Sequence, residues 1–290
     1  MIPTELLAQI RRLEIRTRGL VDNVFGGEYH TAFRGQGIEF SEVRPYQFGD
    51  DIRAIDWNVS ARTGETYIKI FEEEREQTLL LCVDVSPSGA FGTRNKFKVD
   101  LAAELCAVAA FSAIRNNDKV GLILFSDHVE RFVPPKKGRK HVLRMIRDIY
   151  AHEPQGKGTS INAALEHILH VQKRHAVVLL LSDFFDVGFE KPLRVVSRKH
   201  DTIAVQLSDP SDSELPRVGL MEVQDPESGY TTWIDTLSEK TRSAYKARAT
   251  AREEQLSALL RSTKVDRILL RTDESFVEPL IRFFRKRNAV

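Results

Sequence analysis

The chain has 290 residues, of which 42% are hydrophobic and 29% are charged, a composition typical of a soluble globular protein with a sizeable core. Its net charge of +2 is too small to indicate a nucleic-acid partner. No apolar run approaches the roughly 18 residues of a membrane span. The N-terminal stretch is charged and lacks a signal-peptide core, so we expect a cytoplasmic protein.

The first 76 residues are predicted to form a helix and a β-rich segment. An amphipathic helix is expected over 4–18, because Thr4 can cap it and apolar residues recur at helical spacing. Residues 26–64 are rich in glycine and mix polar with aromatic side chains, which indicates irregular, partly β structure. Residues 66–76 resemble a strand with an acidic end.

From residue 77 onward, strands and helices alternate. This order predicts an α/β domain over 77–290 with a doubly wound, mostly parallel sheet of Rossmann type. A hairpin is expected within 220–235, with its turn at 225–229. The predicted strands cover 78–84, 119–125, 129–133, 176–181, 202–207 and 267–271, and the predicted helices cover 97–115, 139–150, 160–171, 191–199, 238–261 and 276–287.

The two cysteines fall inside apolar segments of this domain. Cys82 lies in the first apolar strand, and Cys106 lies in an apolar helical pattern. We expect both to be buried thiols rather than a disulfide or a metal-binding pair. A reducing compartment is the simplest inference from them.

Oxygen-bearing side chains follow the most apolar strands. The run LLLCV ends at Asp84 and is followed by Ser86 and Ser88, while Asp183 directly follows AVVLLLS. Thr159 lies in the glycine-flanked turn GKGTS before a helix. Ligands of parallel sheets bind beyond the carboxyl ends of the strands. Two carboxylates and three hydroxyls favour a hard cation such as Mg²⁺ or Mn²⁺ over zinc.

This pattern resembles the metal-ion-dependent adhesion site of von Willebrand factor A-type domains. The Asp-x-Ser-x-Ser motif stands at 84–88, with the threonine and the aspartate of the other two loops at Thr159 and Asp183. The resemblance implies that Ser86, Ser88 and Thr159 coordinate the cation directly. It also implies that Asp84 and Asp183 hold water ligands, and that a partner's Asp or Glu completes the shell. The alternative is that both serines only cap a turn while Asp84 binds backbone amides.

A second signature lies at 35–62 and reads GQGIEFSEVRPYQFGDDIRAIDWNVSAR. Together with DPESGYTTWID and the terminal LIRFFRKR, it resembles domain of unknown function family 58. That resemblance implies a von Willebrand A-like domain and a partnership with a MoxR-type AAA+ ATPase in assembly or chaperone-like activity. Many members carry membrane helices before the signature; this chain resembles the short soluble form, although membrane-associated partners remain open.

Within this signature, charges of both signs stand beside aromatic residues. They can lock a loop onto the α/β domain through ion pairs, or they can present a docking patch for a partner. Locking is the favoured interpretation. The candidate partner-binding residues are Asp50, Asp51, Arg53, Asp56 and Trp57.

The functional hypothesis is therefore a non-enzymatic, metal-dependent protein-interaction module. The alternative is a Mg²⁺-dependent phosphohydrolase using Asp84 and Asp183. It is weakened because Ser86 stands where a haloacid-dehalogenase-like phosphatase has its second aspartate. No Gly-x-Ser-x-Gly turn occurs, and the adjacent residues 126–128 (Ser-Asp-His) do not make a triad by adjacency. The basic runs at 134–140 and 285–287 fit a solvated turn and a helix end better than a phosphate site.

Overall fold

The structure is a computed structural model that describes residues 11–15, 17, 21, 38–73, 76–90, 97–224 and 229–288. Its ten named strands are β1 (Ile38–Pro45), β2 (Tyr67–Glu73), β3 (Thr78–Asp84), β4 (Lys119–Phe125), β5 (Val129–Lys136), β6 (Val177–Ser182), β7 (Asp201–Ser208), β8 (Leu220–Gln224), β9 (Thr231–Asp235) and β10 (Asp266–Arg271). Its named α-helices are α1 (Trp57–Thr63), α2 (Lys98–Arg115), α3 (Arg139–Tyr150), α4 (Ile161–Val171), α5 (Glu190–Lys199), α6 (Glu239–Thr263) and α7 (Val277–Asn288).

A six-stranded sheet in the order β10–β7–β6–β3–β4–β5 forms the centre of the molecule. Neighbouring strands are parallel except for β4 and β5. The chain moves from β3 to β4 on one side and later returns to β6 on the other side. This reversal confirms the predicted doubly wound α/β fold. It also leaves a crevice between the carboxyl ends of β3 and β6, where such folds bind ligands.

The apolar runs form strands because both of their faces are covered by helices. Leu79, Leu81 and Val83 of β3 pack with α2, α3 and α7 on one face. The alternate residues Leu80 and Cys82 pack with α4, α5 and α6 on the other. Each large apolar side chain buried in this way contributes roughly 1.5–3 kcal/mol. These strands therefore hold the ends of the sheet, and the loops beyond them, in place.

Both cysteines are buried and free, as predicted. Burial raises the pKa of the Cys106 thiol and, together with the charge of Asp84, that of Cys82. Thiols with raised pKa values stay protonated and are poor nucleophiles.

The segment before β3 forms a small antiparallel sheet of β1 and β2. Between the two strands, α1 is a helix that the sequence analysis missed. Asp56 caps its first turn, and Gly64 ends it at a φ of +77°. Of the predicted helix over 4–18, residues 11–15 and 17 are helical and the remainder lies outside the described residues; residues 26–37 of the predicted irregular segment also lie outside them. The division of the chain at residue 76 stays a prediction.

The edge strand β5 continues to Lys136, beyond the predicted end at 133, because its antiparallel pairing with β4 extends to Val120. Prolines are tolerated in such an edge strand, where they interrupt no inner ladder. The predicted hairpin forms from β8 and β9, and residues 225–228 of its turn lie outside the described part. Among the helices of the described residues, none combines the length and the hydrophobicity that a membrane span requires.

Candidate metal centre

The first site loop begins where β3 ends, at Asp84. Its Oδ1 accepts a hydrogen bond from the Ser86 backbone N–H at 3.0 Å, which closes a tight turn. This turn brings the hydroxyl oxygens of Ser86 and Ser88 to 2.9 Å from each other. Asp84 and Ser86 are buried, with 6% and 1% of their surface exposed. The turn-capping contact of the alternative interpretation is therefore present, and the same turn pairs the two hydroxyls.

The third site loop follows β6 and is joined directly to the first. The Ser182 hydroxyl donates to Asp84 Oδ2 at 2.6 Å and accepts from the Phe184 N–H at 3.1 Å. Asp183 Oδ1 accepts from the Phe185 N–H at 3.2 Å. Phe184 has a φ of +59°, a left-handed conformation that is rare for an aromatic residue. The chain thus turns sharply around Asp183, next to the end of β3.

The two buried aspartates influence each other electrostatically. Burial and the negative charge of Asp183 raise the pKa of Asp84 to about 6, although hydrogen bonds from Ser182 and Ser86 work in the opposite direction. A carboxylate with a pKa raised in this way lacks sufficient positive charge nearby. A bound cation would supply that charge.

Lys98, at the start of α2, is the nearby positive charge that the structure does show. Its Nζ lies 3.1 Å from Asp183 Oδ2 and 3.0 Å from Asp212 Oδ2. Burial disfavours its charge, but Asp183 and Asp212 outweigh burial and raise the pKa of Lys98. The sequence analysis missed Lys98, since its partners are 85 and 114 positions away along the chain.

The second site loop carries Thr159 just before α4. The Ser160 N–H donates to the Ser126 carbonyl, beyond the end of β4, at 2.7 Å. The next N–H, of Ile161, donates to Asp186 Oδ2 in the loop after β6 at 2.8 Å. Thr159 is therefore positioned beside two anchored residues, at the same edge of the sheet as the other two loops.

Glu130, whose side chain is 1% exposed, anchors the start of this second loop. It accepts hydrogen bonds from the Ser126 hydroxyl and His152 Nε2, and from the N–H groups of Gln155 and Gly156, both at 3.1 Å. Burial works against its charge, but the hydrogen bonds prevail and lower the pKa of Glu130 to about 2. A Cβ added at Gly156 would lie 2.2 Å from Ser126 Oγ, which explains the first glycine of GKGTS. Glu130 was not found from sequence.

In the described part of the chain, no three or more His, Cys, Asp and Glu side chains cluster so that they could hold a metal ion. A cation at this edge would need hydroxyl ligands, as the sequence analysis predicts. The donor set of carboxylate and hydroxyl oxygens suits a hard divalent cation.

The candidate partner-binding residues lie between the end of β1 and the first residue of α1, Trp57. Asp50 makes a two-pronged ion pair with Arg44, with both N–O distances at 2.8 Å; these bonds lower the pKa of Asp50. Asp51 accepts from the Arg53 N–H at 2.9 Å. The acids thus hold the backbone of their own segment, and locking of this segment onto the α/β domain stays a prediction.

The other two candidates in this segment differ in exposure. Asp56 is largely buried, caps α1 and lies 3.6 Å from Lys69 Nζ. Trp57 is 71% exposed, and Phe48 of the same segment is fully exposed. Trp57 and Phe48 are thus accessible to a partner, and partner binding by this segment stays a prediction. Among the described residues, no hydrogen bond or ion pair joins this segment to Asp84 or Asp183.

The sequence pattern of the family described as "Protein of unknown function DUF58" matches residues 42–255. The chain belongs to the DUF58 family. The family resemblance inferred from the signature is thereby confirmed.

An uncharacterized protein of Mycobacterium tuberculosis is 30% identical to this DUF58 chain over 287 residues, covering 98% of the chain and 90% of that protein. The uncharacterized protein YeaD of Bacillus subtilis is 30% identical over 109 residues, covering 38% of this chain and 25% of YeaD.

Two solved structures align with the DUF58 chain at low similarity. The conserved hypothetical protein BatB from Bacteroides thetaiotaomicron aligns over 74% of this chain and 100% of its own, at 15% identity and a TM-score of 0.47. Proximal thread matrix protein 1 of the mussel byssus, with a zinc-occupied MIDAS motif, aligns over 46% of this chain and 38% of its own, at 17% identity and a TM-score of 0.37. Because both TM-scores are below 0.5, function has to be inferred from the side chains of the DUF58 protein itself.

Proposed function

We propose that this DUF58 protein is a non-enzymatic interaction module that binds a partner protein through a divalent cation, Mg²⁺ or Mn²⁺. The observation that carries the proposal is the convergence of two loops at the switch point of the sheet. Asp84 and Asp183 are buried there, the hydroxyl of Ser182, which precedes Asp183, donates to Asp84, and the hydroxyls of Ser86 and Ser88 lie together in the adjoining turn.

The charges around this point support a divalent cation. Two largely buried carboxylates, those of Asp183 and Asp212, share the buried ammonium of Lys98, and the negative charge of Asp183 also acts on a third, that of Asp84. One positive charge leaves two negative charges uncompensated, and uncompensated buried charge is strongly unfavourable. A divalent cation would balance them.

The chain's own residues would divide the work of binding. Ser86, Ser88 and Thr159 offer hydroxyl oxygens, while Asp84 and Asp183 supply charge. Mg²⁺ prefers six oxygen ligands and commonly keeps positions for water or an outside ligand. When bound, the cation would offer such a position to a carboxylate of the partner.

We further propose a MoxR-type AAA+ ATPase as one partner. The support is the resemblance of the signature at 35–62, whose exposed Trp57 and Phe48 offer a surface for contact. ATP hydrolysis would then belong to the partner, and this chain would recruit a target or relay a conformational change.

A Mg²⁺-dependent phosphohydrolase is less well supported by the same geometry. Both oxygens of Asp84 already accept hydrogen bonds, from the Ser86 N–H and the Ser182 hydroxyl. The residue two positions later is Ser86, which cannot act as a carboxylic general acid. Release of phosphate from an aryl phosphate in Mg²⁺, abolished in Asp84→Ala, would overturn the binding-module proposal.

Cation binding is tested by titration calorimetry with Mn²⁺ and Mg²⁺. We expect Ser86→Ala and Thr159→Ala to weaken the affinity by about tenfold or more, with thermal melts that still show a cooperative fold. Ser112→Ala is the matched control, because Ser112 is a buried serine of α2 whose hydroxyl has no hydrogen-bond partner in the described structure. Affinities equal to that of the wild type in both site variants would refute the metal centre.

Partner binding is tested by capture from a native cell extract in Mg²⁺ and in EDTA. We expect the wild type to retain an AAA+ ATPase in Mg²⁺ only, and Thr159→Ala to lose it. If the same ATPase is captured in EDTA and by Thr159→Ala, metal bridging is refuted. The segment around Trp57 would then be the next surface to test.

A further inference from the structure

The outer edge of the central sheet is formed by β10. Among the described residues, β10 pairs with β7 on one side and with no strand on the other. An edge strand directs part of its backbone N–H and C=O groups away from the sheet, where another chain can pair with them. Leu269, in the middle of β10, is 44% exposed. The edge is thus accessible both to backbone and to side-chain contacts.

A groove of about 960 Å³ follows this edge. Its floor includes residues along β10, from Asp266 to Arg271, and its walls include Leu260 of α6 and Phe283 of α7. At about 3.3 Å per residue, an extended peptide matching the six residues of β10 is about 20 Å long. Because the lining runs along β10 from its first residue to its last, the groove can hold one added strand of that length.

The groove is strongly basic. Its lining includes two acidic residues, Asp266 and Glu274, and six basic ones, Arg261, Arg267, Arg271, Arg282, Lys286 and Arg287. Arg267, Arg271 and Arg287 make ion pairs. The other three are exposed, and in the described part of the chain they have no carboxylate within 4 Å. Their charge is available to an anionic ligand.

We propose that the groove between α6 and α7 binds an acidic, extended segment of a partner protein as an additional strand on β10. Backbone pairing with an open sheet edge gives affinity in this mode of recognition, and side-chain complementarity gives specificity. Leu269 on the floor and Phe283 in the wall are apolar, which suits alternating peptide side chains better than phosphates. This site is independent of the metal centre.

The probe is a fluorescent peptide as long as β10, built of alternating valine and glutamate, and binding to the full chain is measured by anisotropy. Two matched peptides serve as controls: one has lysine in place of glutamate, and the other carries N-methyl groups on alternate backbone nitrogens. We expect each change to weaken binding by about tenfold or more, since the first reverses the charge and the second removes strand hydrogen bonds.

Protein variants test the position of the site. Arg282→Glu/Lys286→Glu reverses two charges on α7 and should weaken binding of the acidic peptide by about tenfold or more. The control is Arg194→Glu/Arg198→Glu, which changes two exposed arginines at the same spacing on α5. Absence of binding, equal binding of the N-methylated peptide, or equal loss in both double variants would each overturn the proposal.

Discussion

Lys98→Met tests the buried charges of the site most directly. The Lys98 side chain is 3% exposed, and its ammonium lies between Asp183 and Asp212 at distances of 3.1 and 3.0 Å. Methionine keeps the length and loses the charge, so two buried carboxylates remain without their partner. Removing one member of a buried ion pair costs about 3–5 kcal/mol. We expect a fall of this size in the free energy of unfolding at neutral pH in EDTA.

The assay is urea denaturation in EDTA and in Mn²⁺, accompanied by thermal melts. The expected loss corresponds to a drop in melting temperature on the order of 10 °C. Mn²⁺ should recover part of it, because the cation would neutralise the same carboxylates. Lys246→Met is the matched control: it removes a lysine that lies 2.7 Å from Glu214 with both side chains 65% exposed, where solvent screening makes the pair weak. Its denaturation midpoint should barely change.

A double variant separates charge from packing. Asp212→Asn in the Lys98→Met background removes one of the two unpaired charges, so it should restore part of the lost stability. If the free energy of unfolding of Lys98→Met lies within about 0.5 kcal/mol of the wild-type value, the range of ordinary surface substitutions, the ion triad does not stabilise the site and the charge argument fails.

Three further substitutions test other parts of the structure. Ser182→Ala deprives the buried Asp84 carboxylate of its hydroxyl donor, so the free energy of unfolding in urea should fall by about 2 kcal/mol. Gly156→Ala places a Cβ 2.2 Å from Ser126 Oγ, so we expect a loss of about 1–3 kcal/mol and weaker Mn²⁺ binding by calorimetry. Burial, with the charges of nearby residues, lowers the pKa of His200 to about 4, below its unfolded value of about 6.5. The unfolded chain therefore takes up this proton first, and stability should fall as pH drops from about 6.5 to about 4, less steeply in His200→Gln.

Each of these substitutions has an internal comparison. Ser112→Ala also removes a buried hydroxyl, but one without a partner in the described residues; an equal loss in the two serine variants would contradict the role of Ser182. An added Cβ at Gly89 meets its nearest neighbour, the Asp84 carbonyl oxygen, at 3.9 Å, so Gly89→Ala should fold normally. A slope of stability with pH that is the same in wild type and His200→Gln would refute the histidine prediction.

The strands of the central sheet were predictable because each is a short apolar run with an abrupt polar end. A short, wholly apolar run such as LLLCV or VVLLL fits a strand that is buried on both faces. The polar residue that follows it shows where the strand ends and the loop begins. Asp84 and Asp183 were found in this way, since the end of a strand is visible in the sequence itself. The structure joins their two loops through the hydrogen bond from the Ser182 hydroxyl to Asp84, a contact that the sequence does not reveal.

The missed features depend on contacts between distant parts of the chain or on short local signals. Lys98 looks like an ordinary first residue of a helix until β6 and the segment around Asp212 are folded beside it. Glu130 looks like a surface residue of an edge strand until the backbone of the second loop closes over it. α1 did have local signals, a capping aspartate at Asp56 and a terminating glycine at Gly64. It was not predicted because a helix of seven residues shows little periodicity and lies in a glycine-rich segment.

The hydrogen bond from the Ile161 N–H to Asp186 Oδ2 ties together two of the three loops of the proposed cation site. It fastens the loop that carries Asp183 to the first turn of α4, two residues after Thr159, so spreading the two loops apart costs this hydrogen bond. A set of donors tied together before a ligand arrives acts as a rigid chelator, because the entropy of arranging it was already lost during folding. Such a site would exchange its cation without refolding its loops, and release of Asp186 would turn it into a looser and weaker one.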